Sequence, residues 1–156
     1  MLSVCLVCAP GWTTYRKHSF CYKYFHEEKS WEDARRSCQT EAPVNGTGDL
    51  ASVENDVTNQ FLASLPPQPL SDSSPFIFLG GAREDGTGQF GWTDGTPWNF
   101  ESWDVSGENP EPDNGTHHGG QGPESHMVLG WGNGWHDIPN DRACQYICQY
   151  QGDQNL

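Results

Sequence analysis

From Glu84 to Asp141 the chain carries eleven carboxylates (Glu84, Asp85, Asp94, Glu101, Asp104, Glu108, Glu111, Asp113, Glu124, Asp137 and Asp141) and not one lysine or arginine. Packed together without a cation, such charges repel one another and lose hydration, a cost of several kcal/mol. Carboxylate oxygens supplemented by main-chain carbonyls suit a hard divalent ion, above all Ca2+, which accepts about six to eight oxygens in flexible geometry. The glycines and prolines of "ENPEPDNGTHHGGQGPESH" (108–126) are what a loop needs to turn its oxygens inward. The plain alternative is a solvated acidic face. His117, His118, His126 and His136 offer imidazoles for zinc or copper, but their spacing matches no zinc-hydrolase helix. No nucleophile elbow is present, and no carboxylate is marked out as a proton donor, so the chemistry points to binding rather than to an enzyme.

The elements that must hold this loop are legible to either side of it. In "KSWEDARRSCQTE", Trp31, Ala34, Arg35 and Cys38 recur at helical spacing, with Ser30 and Asp33 as a capping pair. A second helix is predicted in "ASVENDVTNQFLASL", capped by Ser52 and burying Val53, Val57, Phe61 and Leu65, with "PPQPLSDSSP" ending it. "SFCYKYF", "PFIFLGG", "QFGW", "HMVLGW" and "QYICQY" read as strands. Fourteen of the 18 glycines fall between Gly80 and Gly134. Two helices followed by short strands imply an α+β domain with a long irregular loop region. Trp92, Trp98, Trp103, Trp131 and Trp135 argue that this region is ordered, because large apolar rings need burial.

The whole chain narrows the choices. Its 156 residues suit one domain, 1–156, and its net charge of -13 repels phosphate backbones and anionic lipid heads, which argues against nucleic acid and membrane partners. No apolar run approaches the roughly 20 residues of a membrane span. The start "MLSVCLVCA" lacks the basic residues and length of a secretory signal, so a mature protein is expected. Six cysteines, Cys5, Cys8, Cys21, Cys38, Cys144 and Cys148, lie in two groups at the ends of the chain, suggesting staples in an oxidising, extracellular setting. Buried cytosolic thiols or a zinc site built from Cys5, Cys8, Cys144 and Cys148 are the alternatives.

The order of these features, a cysteine-bearing amino-terminal hairpin, an amphipathic helix with Cys38, "FLGG", the triplet Glu111-Pro112-Asp113, "WHD" and "YICQ", resembles the C-type lectin-like domain from about Cys8 to Tyr150. The resemblance implies two helices, small antiparallel sheets and a long calcium-binding loop region, with Cys8 bridged to Cys21 and Cys38 to Cys148. A further bridge usual in the family is missing, since His126 and Asn140 occupy its two positions; the loop should then lean more on calcium or packing. Cys5 and Cys144 can pair within the chain or link two chains, and a dimer is favoured. The resemblance makes Glu111, Asp113, Glu124 and Asp137 the calcium ligands and implies a cis peptide before Pro112.

Pro-Asp followed by a glycine-rich loop, with His118 in it, goes with galactose or N-acetylgalactosamine in the family, whereas Pro-Asn goes with mannose. The expected function is therefore a secreted, calcium-dependent lectin for galactose, N-acetylgalactosamine or related N-acetylhexosamine glycans on microbial or cell surfaces, in innate immunity. Its sugar contacts would come from Glu111, Asp113, Glu124, His136, Asp137 and His118. Three departures weaken that expectation. Gly115 stands where the galactose type has a tryptophan, leaving Trp103 or Trp131 to stack on sugar. His136 stands where the family has asparagine and is expected to meet the sugar or nothing. Asn114-Gly-Thr116 is a glycosylation pattern inside the site, expected to go unused, whereas Asn45-Gly-Thr47 is the better acceptor. The alternative is a domain of this kind that binds a protein or other surface without a working calcium or sugar site.

Overall fold

The computed structural model describes residues 7–15, 19–43, 47–67, 76–84, 88–115 and 123–152. Eight strands and two helices follow in the order β1 (Thr13–Thr14), β2 (Phe20–Lys29), α1 (Trp31–Glu41), β3 (Asp49–Leu50), α2 (Asp56–Ser64), β4 (Ile77–Arg83), β5 (Phe90–Trp92), β6 (His126–Leu129), β7 (Trp135–Ile138) and β8 (Cys144–Gln151). The strands join along β1-β2-β8-β4-β6-β7, with β3 on β8 and β5 on β4. The sheet is mixed: β4 and β8 run parallel, pairing Ile77 with Gln145 and Phe78 with Tyr146, and the other pairings between these strands are antiparallel. No helix among the described residues is long and apolar enough to cross a membrane.

The helix α1 forms where its periodicity and cap place it. Ser30 accepts a hydrogen bond from the Asp33 amide at 3.2 Å, supplying a partner that the first turn of a helix lacks. Trp31, Ala34 and Cys38 are buried against the sheet, and Trp31 donates its indole N–H to the Leu79 carbonyl at 3.0 Å. Disulfides join Cys8 to Cys21 and Cys38 to Cys148, the second linking α1 to β8. Cys144 is a free, fully buried thiol, held up to about 12 by that burial. With Cys144 free, the structure shows no internal Cys5–Cys144 bridge; Cys5 itself lies outside the described residues.

The helix α2 departs from the face read in its sequence. Asn55, not Ser52, caps it, accepting from the Thr58 amide at 2.9 Å. Val57 is exposed while Thr58, Asn59 and Leu62 are buried. Polar pairing sets this register: Asn59 donates to the Asn133 carbonyl at 2.9 Å and accepts from the Trp135 indole at 2.8 Å. Ser52 instead bonds Asp94 at 2.6 Å, as does Gln149. Asp94 is thereby absorbed into the scaffold.

Trp135 is fully buried at the centre of an aromatic cluster with Trp92, Trp98, Phe100 and Trp103. The glycine-rich segment thus folds around its own tryptophans. Trp103 also bridges to Trp135 through the backbone, and the Asp104 amide donates to the Trp135 carbonyl at 3.0 Å. These contacts fix the loop beside β7, where the carboxylates meet.

Candidate functional site

The site is assembled on β7 and on the turn that carries the triplet. Antiparallel pairing with β6 sets Asp137 opposite Met127 and His136 opposite Val128. The Asp137 side chain is fully buried, and its two oxygens accept from three donors. The Asp113 amide reaches Oδ1 at 2.9 Å, the Asn114 amide reaches Oδ2 at 2.9 Å, and Arg83 reaches Oδ2 at 2.7 Å. The next amide, Gly115, donates to Asp113 Oδ1 at 2.8 Å and to Glu124 Oε2 at 2.9 Å. Three consecutive amides therefore face three carboxylates. The chain can do this because Asn114 and Gly115 hold positive φ, 53° and 73°, a conformation open to glycine and tolerated by asparagine.

Asn114 completes the turn by accepting from the Glu124 amide at 3.2 Å through its side-chain oxygen. Its side chain thus belongs to the framework of the site. The Glu111–Pro112 peptide is cis.

Glu111, Asp113 and Asp137 each bring a carboxylate oxygen within 4.8 Å of the others. Glu124 joins them through the shared Gly115 amide and is 1% exposed. Burial, followed by the charges of Asp137 and Asp113, pushes its carboxyl up to about 7. Burial also raises Glu111, with Asp137 and Asp113 adding to the shift and a hydrogen bond from His136 opposing it. His136 sits 3.4 Å from Glu111 through Nδ1 and 3.4 Å from Asp104 through Nε2, and its hydrogen bond with Glu111 raises its pKa. Hydrogen bonds from the side chain and amide of Ser106 hold Asp104 below the usual carboxylate range.

The cluster is thus strongly acidic but not bare. Of the four carboxylates named from the sequence, Glu111, Asp113 and Asp137 come together and Glu124 lies beside them through the Gly115 amide; two neighbours were not singled out. Asp104 was one of eleven acids with nothing to distinguish it. Arg83 closes β4 one residue before the stretch without lysine or arginine begins, so a search inside that stretch passes over it. His136 meets two carboxylates within the chain, where the sequence led to the expectation of sugar or nothing. His117 and His118, like the side chain of Trp131, lie outside what is described.

The positions of the missing family bridge are also filled. His126 stacks on Trp31 with ring centres 4.4 Å apart and lies 3.5 Å from Glu32; burial lowers its pKa. Its neighbour Ser125 exchanges two hydrogen bonds with Asn140, amide to Oδ1 at 2.7 Å and Nδ2 to Oγ at 3.1 Å. A polar clamp therefore ties the start of β6 to the turn after β7.

A groove of about 650 Å³ opens beside the carboxylates, walled by Glu111, Pro112, Arg83, Phe90, Trp98 and Trp103. Val105 stands at this wall, 69% exposed. Aromatic faces next to a polar cluster are what a ligand with one polar and one apolar side requires.

Comparison with known proteins agrees with this architecture. The family described as "Lectin C-type domain" matches residues 27–150. A snaclec from Echis carinatus, one of the subunits of a coagulation factor IX/factor X-binding protein, is 38% identical over 96 residues, covering 62% of this chain and 71% of that protein. Echinoidin from Heliocidaris crassispina is 26% identical over 146 residues, 90% of this chain and 93% of its own. Among solved structures, the C-type lectin CEL-I from Cucumaria echinata superposes with a TM-score of 0.76 at 20% identity, covering 94% of this chain and 99% of that one.

Proposed function

This chain belongs to the C-type lectin domain family, and on that premise we propose that it is a single domain, with its core at about 8–150, that binds glycans through Ca2+ held by Glu111, Asp113, Glu124 and Asp137. The observation that carries the reading is the convergence of Glu111, Asp113 and Asp137 oxygens within 4.8 Å. Oxygens bound to one calcium at 2.3–2.6 Å are at most about 5 Å apart, so the spacing fits a single ion. The donor set fits too, since every ligand atom is a hard oxygen. Four carboxylates also exceed the charge that Arg83 and His136 bring.

When bound, calcium would supply open coordination positions for a pair of neighbouring sugar hydroxyls. The chain's own groups do the rest. Glu111 and Asp113 accept hydrogen bonds from those hydroxyls, and as pure acceptors they select a hydroxyl pair that donates to both. Asp137, with three internal donors, orients the triplet more than it touches ligand. His136 steadies Glu111 from behind. The sugar's apolar face is assigned to the Trp103 and Val105 wall of the groove, in place of the tryptophan that Gly115 replaces. The Pro-Asp triplet supports galactose, N-acetylgalactosamine or a related N-acetylhexosamine, in a secreted protein that recognises microbial or cell-surface glycans. Binding, not catalysis, is the role assigned.

A glycan array run with calcium and again with chelator tests this. Signal on galactose-type glycans that vanishes with chelator is expected; binding that persists unchanged would sink the calcium-bridged mechanism. Asp113→Asn should move preference towards mannose-type sugars.

A second reading has its own support. Arg83 occupies Asp137, and His136 lies against Glu111, so the cluster carries internal partners. The 38% identical relative bears the name of a coagulation factor-binding protein. On this reading the groove beside Val105 meets a protein, and an array with no signal under either condition would favour it.

A further inference from the structure

Arg83 spreads its guanidinium across three separate segments. Nε donates to the Glu124 carbonyl at 2.9 Å, ahead of β6; Nη1 to the Gly88 carbonyl at 2.7 Å, ahead of β5; Nη2 to Asp137 Oδ2 at 2.7 Å, in β7. Its side chain is 19% exposed against 0% for Asp137, and the guanidinium lies 4.5 Å over the Phe90 ring. Its own amide donates to the Ser125 carbonyl at 2.9 Å, so the root of the side chain is pinned as well. Oxygens from three chain segments gathered round one positive charge, next to a carboxylate cluster, is the arrangement a bound ion imposes. A guanidinium spreads its donors over three nitrogens in a fixed plane, so it spans acceptors on three segments; a lysine ammonium has three donors but all on one nitrogen.

We propose that Arg83 is the resident cation of this site, a positioning residue that holds Asp137, and through it the Asp113 and Asn114 amides, in place when no metal is bound. The inference deepens the calcium reading, because it concerns the same carboxylates in the ion's absence. Asp137 is the hub: it accepts from Arg83 and from two consecutive amides of the triplet turn. Without the guanidinium, a fully buried carboxylate would keep only the two amides against its charge, and the neighbouring Asp113 and Glu124 would push it outward. With the guanidinium, the turn that presents Glu111 and Asp113 is organised before any ion arrives. Metal then has to capture ligand rather than build the loop.

The test is thermal unfolding of the full chain in chelator and in excess calcium, for wild type, Arg83→Met, Arg83→Lys, Asp137→Asn and the Arg83→Met/Asp137→Asn double variant. In chelator Arg83→Met should lower Tm by on the order of 10 °C, as loss of one partner of a buried ion pair does in a domain of this size. Arg83→Lys should recover part of that loss. In the Asp137→Asn background the cost of Arg83→Met should fall by at least half, because the charge it neutralised is gone. Excess calcium should raise Tm more in Arg83→Met than in wild type.

An equal cost of Arg83→Met in both backgrounds would overturn the proposal, since it would show Arg83 acting through the Glu124 and Gly88 carbonyls and the Phe90 ring rather than through Asp137. If Arg83→Met alone has no folded state in chelator, recovery of a cooperative transition in the double variant supports the role, and failure to recover it overturns it. A wild type that gains nothing from calcium would end the calcium reading, while the comparison of backgrounds in chelator would still decide the role of Arg83.

Discussion

Around α1 and the paired strands β2 and β8 the chain is held by two disulfides and by side chains such as Ala34, Cys38, Leu50 and Ile147 that are wholly out of water. Around β7 the equally buried Asp137 and Glu124 are held by amides, one guanidinium and each other. Both regions exclude solvent, but by means that respond to different agents. The first resists changes of salt and pH and yields to reductant. The second contains no cross-link among its described residues and is built of ionisable groups, whose balance protons and the proposed calcium are expected to shift. A scaffold of one kind beneath a proposed binding face of the other would let the loop respond to its ligand conditions without risk to the fold.

The largest expected effect breaks the scaffold side. Replacing Cys38 and Cys148 by alanine opens a span of 110 residues and should cost about 4–5 kcal/mol in denaturant unfolding. The loss should be the same with calcium as with chelator; a loss that calcium halves would mean that the two regions are not separable as described. Next comes the metal itself. Calcium at about a hundred times its dissociation constant should stabilise the chain by about 2.7 kcal/mol, read as a rise in Tm that magnesium, with its stricter geometry, does not reproduce. No rise at any calcium concentration would count against the ligand set.

The acid side of the comparison has a pH signature in chelator. Glu124 is raised from the ordinary 4.5 to about 7, mainly by burial, so its contribution is complete below about 4.5 and is lost as pH rises through 7. Glu111, raised by burial, and His136, raised by its bond to Glu111, lose stability in the same direction. Asp104, lowered by Ser106, has the opposite sign but acts only below its ordinary 3.8. Metal-free protein should therefore become less stable from pH 5 to pH 8. Glu124→Gln should flatten that slope, and the same slope in Glu124→Gln would show that another group sets it.

The two regions were also unequally readable in the sequence. Helix α1 and the strand ends were legible because one physical signal, apolar spacing, decides both their conformation and their burial. The same signal misplaced α2, where Asn59 is buried for its bonds to Trp135 and Asn133 rather than for hydrophobicity. The carboxylates could be found through the family resemblance, yet Arg83 could not, because its role depends on β4 pairing with β6 and so on contacts from far along the chain. Charge counted along a sequence misses a counter-charge brought in by topology.

The smallest expected effect concerns the seam between the regions. Asn140, at one of the two positions of the missing bridge, exchanges two hydrogen bonds with Ser125, next to the other position, and its amide reaches the Pro123 carbonyl at 3.3 Å. Asn140→Ala removes both side-chain bonds but leaves the amide, and Ser125 is exposed enough for water to replace what is lost. The cost should accordingly be about 1 kcal/mol, the net worth of an ordinary hydrogen bond or slightly more, against several for a cross-link. It should also fall on the metal-responsive side: hydrogen exchange at the Glu124 and Ser125 amides should quicken in Asn140→Ala while amides of β2 and β8 keep their wild-type protection. Faster exchange in β8 as well would mean that the clamp belongs to the scaffold, and that the boundary between the two regions lies on the far side of β6.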